Sequence, residues 1–240
     1  MGNPTMPGAG TSAFGLLIFR RGDLSARVNL RILGLSLITL LLIALTSVVA
    51  MMLGSLGIPA IDVVRSLFGH GADQQHIVVN TQRLPRVLLA LLVGAGLPVA
   101  GAIFQGLVRN PLVSPDIIGI DNGANLFVTF WIVSGLSWTF VPAAAFAGAA
   151  AAAIVISLLS WRGGVAPNRL IVVGIGIRAA LSSPTTLLLA RGTIEQVRPA
   201  QVWSIGSIYG ADWADVRLMG LTLAVLLPAA VALTWPMRIL

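Results

Sequence analysis

Six stretches of this chain read as membrane helices, and nothing else in the sequence limits its fold so strongly. The first, residues 32–53, carries no charged side chain at all. A helix needs roughly 20 apolar residues to cross a hydrocarbon core. Comparable runs follow at 85–107, 140–159, 168–190 and 216–235, with a shorter, more polar one at 122–134. Charged residues make up 10% of the chain and hydrophobic ones 57%, whereas a soluble domain is about 25% charged. Lipid offers no hydrogen-bond partners, and a helix bonds its own backbone internally. The expected fold is therefore all-α, a polytopic integral membrane protein with about six transmembrane helices.

Residues 1–15 are rich in Gly, Pro, Ser and Thr, and 1–30 reads as a mobile cytoplasmic N-terminal segment. Residues 31–240 form the transmembrane domain. The first apolar run is too long for a signal peptide, whose core is about 7–15 residues, so it reads as a retained span. A short amphipathic piece lies at 59–68. Segment 114–122 is polar and rich in turn residues, so at membrane depth it would have to be buried in protein.

All 15 basic residues are arginine, against 8 acidic ones. With no lysine, the chain has neither a Schiff base nor the phosphate-binding lysine of a P-loop. If ATP drives this protein, another chain hydrolyses it. With no cysteine, disulfides, thiol nucleophiles and thiolate metal sites are excluded. The arginines are scattered between apolar runs, the pattern of helix flanks and not of a nucleic-acid surface. Arg20, Arg21, Arg27 and Arg31 precede the first span and place the N-terminus in the cytoplasm. Six spans then put Arg109, Arg162, Arg169 and Arg238 on the same side, with Arg65, Arg83, Arg86, Arg191, Arg198 and Arg217 outside.

Intramembrane catalysis lacks its residues. His70 and His76 both precede the second span, so no span holds a histidine to pair with a serine or to bind a metal or haem. No cofactor is expected. Small residues recur where helices can approach closely. The second span carries Ala90, Gly94, Pro98, Ala102 and Gly106 on one face. The fourth carries Ala143, Ala147 and Ala151, with Gly148 beside them.

The most informative stretch begins at Arg83-Leu84-Pro85-Arg86. Pro85 suits a first helical turn, where its missing N–H would be unpaired anyway. At the far end of that span come Gln105, Asn110-Pro111-Leu112, Ser114-Pro115, Gly119 and Gly123-Ala124. The two X-Pro steps stop the helix, and the glycines let the next one start close to its neighbours. With Gly94-Ala95, Ala100-Gly101, and the later Trp203-Ser-Ile-Gly206-Ser207 and Trp213, this order resembles one family over about residues 32–240. The family is the permease subunits of iron-siderophore, haem and vitamin B12 ABC importers.

The resemblance implies a bacterial inner-membrane permease component of an ATP-driven importer, with ferric siderophores or related metal chelates as cargo. Its implied partners are cytoplasmic ABC ATPase subunits, an extracytoplasmic substrate-binding protein and a second permease subunit, identical or not. It also implies that Arg83 and Arg86 dock the binding protein; the plainer reading is that they snorkel to lipid headgroups. Gly94, Gly101, Asn110, Pro111, Pro115, Gly119, Gly123, Trp203, Gly206 and Ser207 carry the motif's structure.

Two departures from the family stand out. Arg178 lies in an apolar span where relatives carry a small or neutral residue. A span arginine costs about 2.5–3.5 kcal/mol on insertion scales. Either it lines the translocation pathway with Gln105 and favours an anionic chelate, or it holds a carbonyl or headgroup. The second departure is length: the family has about ten spans, and the segment that contacts the ATPase would follow residue 240. That makes a truncated product, a non-transporting remnant or half of a split permease the alternative expectation.

Overall fold

The computed structural model describes residues 16–21, 24–70, 73–110, 114–161 and 167–237. The helical expectation holds, with one addition. Strands β1 (Leu16–Arg21) and β2 (Leu24–Asn29) pair antiparallel, Leu16 opposite Asn29 and Arg21 opposite Leu24. This hairpin lies in the stretch to which sequence reading assigned no regular structure.

Helix α1 (Leu30–Met52) follows at once, its first turn capped by the Asn29 side chain, which accepts from the Arg31 N–H at 3.0 Å. Then come α2 (Ala60–Leu67), α3 (Asp73–Ile77), a π-helical segment Val78–Arg83, and α4 (Leu84–Val108). They are followed by α5 (Pro115–Ile118), α6 (Ile120–Val133), a 3-10 turn Trp138–Phe140, and α7 (Val141–Ser160). The described chain closes with α8 (Pro167–Arg191), α9 (Ile194–Ile205) and α10 (Trp213–Met237). It divides into two compact units, Met1–Val87 and Leu88–Leu240.

Among the described residues, five helical stretches are long and apolar enough to cross a membrane: Leu30–Met52, Gln74–Val108, Trp138–Ser160, Asn168–Arg191 and Trp213–Ala232. The second is longer than expected because the polar residues ahead of Pro85 are helical too. The expected span at 122–134 is α6, with 14 residues. At 1.5 Å per residue it reaches about 21 Å, short of a hydrocarbon core of about 30 Å. What it lacks in length it gains in protein contact, with Gly123, Val128, Thr129 and Ile132 buried. Short polar helices at membrane depth need that cover.

In the first unit, Met51, Ile58, Val63 and Val79 form a buried cluster joining the end of α1 to α2 and the π-helical segment. In the second, Val108, Ile118, Ala152, Ile156 and Leu170 form one cluster, and Val128, Ile132, Val141, Ala144 and Ala200 another. The tightest approach is α6 on α7. A Cβ added to Gly123 would land on the Gly148 carbonyl, and one added to Gly148 on the Gly123 carbonyl. The packed face of α7 is thus Ala144, Gly148, Ala152, Ile156 and Ser160, one residue beyond the expected Ala143–Ala147–Ala151 stripe. In a helix this rich in alanine several faces are smooth, and Gly148 decides which one packs. On α4, Gly96 meets Leu223 of α10, and Gly94, Gly101 and Gly106 have no neighbour within 4 Å of a built Cβ.

Candidate functional site

Arg83 closes the π-helical segment, where the Leu84 N–H reaches back to the Val79 carbonyl. Wide turns of this kind are frequent at functional sites. From there the guanidinium extends into the C-terminal end of α1. Nη1 donates to the carbonyls of Met51 and Met52, the latter at 3.2 Å, and Nη2 donates to that of Leu56. Carbonyls at a helix C-terminus lack intrahelical donors and carry partial negative charge, so a planar cation with a fork of donors fits them. Gly54 makes the approach possible, since a Cβ there would lie 2.7 Å from Nη2. Arg83, expected to dock a partner, is half-buried and clamps its own chain. Arg86, one turn on, is exposed.

The second constellation is the segment between α4 and α6. Helix α4 ends with Arg109 at φ 55°, a left-handed residue, while the Asn110 N–H bonds the Gln105 carbonyl at 3.2 Å. This six-to-one bond over a left-handed residue is a Schellman-type ending, usually made with glycine. Pro111 lies outside the described residues. Pro115 opens α5 as expected, and Gly119 at φ 81° breaks α5 from α6.

The break sits directly on α8. A Cβ on Gly119 would be 2.8 Å from Arg178 Cβ, and one on Gly174 would be 2.7 Å from the Ile118 carbonyl oxygen. Arg178 Nη1 donates to the Asp116 carbonyl at 3.3 Å, and Asn122 Nδ2 to Ser182 Oγ at 3.1 Å. Asp121, in the first turn of α6, feels the charges of both Arg178 and Asp116. Of the two alternatives for Arg178, the carbonyl contact is thus present, with a guanidinium otherwise exposed within this chain. Gly174, Asn122 and Ser182 escaped sequence reading; the Asn122 side chain in a weakly apolar run was the available signal.

The Trp203–Ser207 motif ends α9. Trp203 is half-buried against the cluster around Val128 and Ala200. Gly206 at φ 87° turns the chain out of the helix, and Ser207 Oγ accepts from the Tyr209 N–H at 3.1 Å. Asp212 then starts α10, accepting from the Ala214 N–H at 2.7 Å. Among the described residues no cluster of His, Cys, Asp and Glu could hold a metal ion.

Comparison with known proteins gives consistent matches. The sequence profile of the FecCD transport family matches residues 39–240. The chain is 37% identical over 227 residues to the achromobactin transport system permease protein CbrC of Dickeya dadantii, covering 93% of this chain and 65% of that protein. It is 38% identical over 209 residues to the ferric enterobactin transport system permease protein FepG of Escherichia coli, covering 85% and 63%. A solved structure of a metal-chelate type ABC transporter, in an inward-facing conformation, aligns with TM-score 0.69 and 29% identity. That match covers 82% of this chain and 61% of the other. The chain therefore spans less than two thirds of the length of each of these proteins.

Proposed function

The chain belongs to the FecCD transport family, and from that premise we propose that it works as part of the membrane-spanning permease of an ATP-driven importer. Its cargo is a ferric siderophore or related metal chelate, and it makes or breaks no bonds itself. The observation that supports this most is the family match over residues 39–240, reinforced by relatives named for achromobactin and ferric enterobactin transport. Its partners in this reading are a cytoplasmic ABC ATPase, an extracytoplasmic substrate-binding protein and a second permease subunit, in a bacterial inner membrane.

The side chains divide into roles within that reading. Arg86, exposed at the start of α4, meets acidic residues of the binding protein. Exposed ion pairs contribute only about 0.2–1 kcal/mol, so it serves orientation and encounter more than affinity. Arg83 positions the outer end of α1 in place of docking directly. Arg178 stands on the translocation pathway while bracing the turn at Gly119, and Gln105 ends the helix that leads there. The test is ATP hydrolysis by the cognate ATPase in liposomes, with and without this chain and the loaded binding protein. Stimulation that needs both, and that weakens in Arg86→Glu, is expected. Hydrolysis indifferent to the chain would contradict the reading.

A further inference from the structure

Arg198 of α9 stands where two cavities meet. The larger, about 620 Å³, is lined by Trp138, Arg198, Val202, Trp203, Ser207 and Tyr209. The smaller, about 440 Å³, lies on the other side of the same arginine, against Leu189, Val197 and Gln201. Among the described residues, the Arg198 side chain has no hydrogen-bond or ion-pair partner.

The local fold explains why these groups converge. Ala200, fully buried, pins α9 to the cluster of α6 and α7. Arg198 and Val202 lie one turn apart on the side left open, and Trp203 is held half-buried at its edge. Trp138 comes from the turn between α6 and α7, and Tyr209 from the glycine-bounded turn after α9. Both are well exposed, at 56% and 84%. A volume of this size falls within the range of small-molecule sites, about 300–1,000 Å³.

The chemistry narrows the occupant. A guanidinium binds an anionic oxygen by short, charge-assisted hydrogen bonds, and the indole and phenol faces take an aromatic ring in offset or edge-on contact. An aliphatic anion would use the arginine and leave the rings idle; a neutral ring would do the reverse. We propose that this cavity binds an aromatic anion, the catecholate class of iron-chelating group, where cargo enters the permease. The cargo assignment rests on the importer reading above; the cavity and its charge do not.

The test uses the whole chain in phosphatidylcholine nanodiscs and the iron-free probe 2,3-dihydroxybenzoate, read by tryptophan fluorescence. Saturable binding is expected, weakened roughly tenfold in Arg198→Gln and less in Trp138→Leu, with partial recovery in Arg198→Lys. Inorganic phosphate should compete poorly. No binding to the unaltered chain, or equal binding in Arg198→Gln, would overturn the proposal. So would phosphate competing as well as the aromatic probe, which would make the cavity a cradle for lipid headgroup phosphate. Probe binding lost in Arg198→Gln with ATP-driven uptake of a catecholate chelate intact would overturn the claim that cargo enters here. Intact binding without uptake would remove the importer reading and leave the site.

Discussion

Arg83 and Arg178 both donate to main-chain carbonyls, yet they hold irregular backbone in different ways. Around Arg83 the two segments are separated by the length of a side chain, and a single guanidinium bridges the gap to two carbonyls at the end of α1 and to that of Leu56 just beyond it. Around Arg178 the backbones themselves touch, because Gly119 and Gly174 present no side chain, and one 3.3 Å hydrogen bond is added to that contact. The first arrangement depends on charge and reach. The second depends on the absence of atoms. Removing charge should therefore matter most in the first unit, and adding volume most in the second.

The largest effect is expected from volume at the α6–α7 contact. Gly123→Val should cost about 3 kcal/mol, the upper end of ordinary overpacking, seen as loss of the folded, monodisperse species in detergent on mild heating. Next comes Gly119→Ala, at about 1–3 kcal/mol for forcing a side chain into left-handed backbone. Arg178→Ala should not rescue it, because the clash is with the Cα and Cβ that alanine keeps. Rescue would mean that charge, not volume, governs this turn as well.

Arg83→Gln should lose about 2 kcal/mol, in line with hydrogen bonds from a charged donor. Gly54→Ala should lose less, and the double variant should fall short of the sum because both act on one contact; strict additivity would separate Gly54 from the clamp. Arg178→Ser should lower stability by only about 1 kcal/mol while reducing uptake of anionic chelates more than neutral ones. An equal effect on both would remove it from cargo selection. The smallest change is Gly94→Ala, where nothing lies near a built Cβ. It should stabilise the isolated chain by about 0.5 kcal/mol through helix propensity.

Much of this arrangement is legible in the sequence because lipid is a severe solvent. Long apolar runs announce α1, α4, α7, α8 and α10, and Pro115 with Gly119 announces a break that must be covered by protein. What periodicity cannot show is which smooth face is used. Gly94 and Gly96 sit in the same helix, and only the latter meets α10. Nor does the Arg-Leu-Pro-Arg motif reveal that its first arginine turns back on α1. That depends on the π-helical register of Val78–Arg83 and on Gly54, far away in sequence. The cavity around Arg198 was equally hidden, since Trp138 lies sixty residues before it and only the packing of α9 joins them.

The most direct test of the central claim is radio-iron uptake into inside-sealed vesicles carrying this chain, the cognate ATPase and the binding protein loaded with a ferric chelate. Accumulation that requires ATP, the binding protein and this chain together is the predicted result. Uptake that proceeds equally when the chain is omitted, or that ignores ATP when it is present, would contradict its assignment as a working part of the permease.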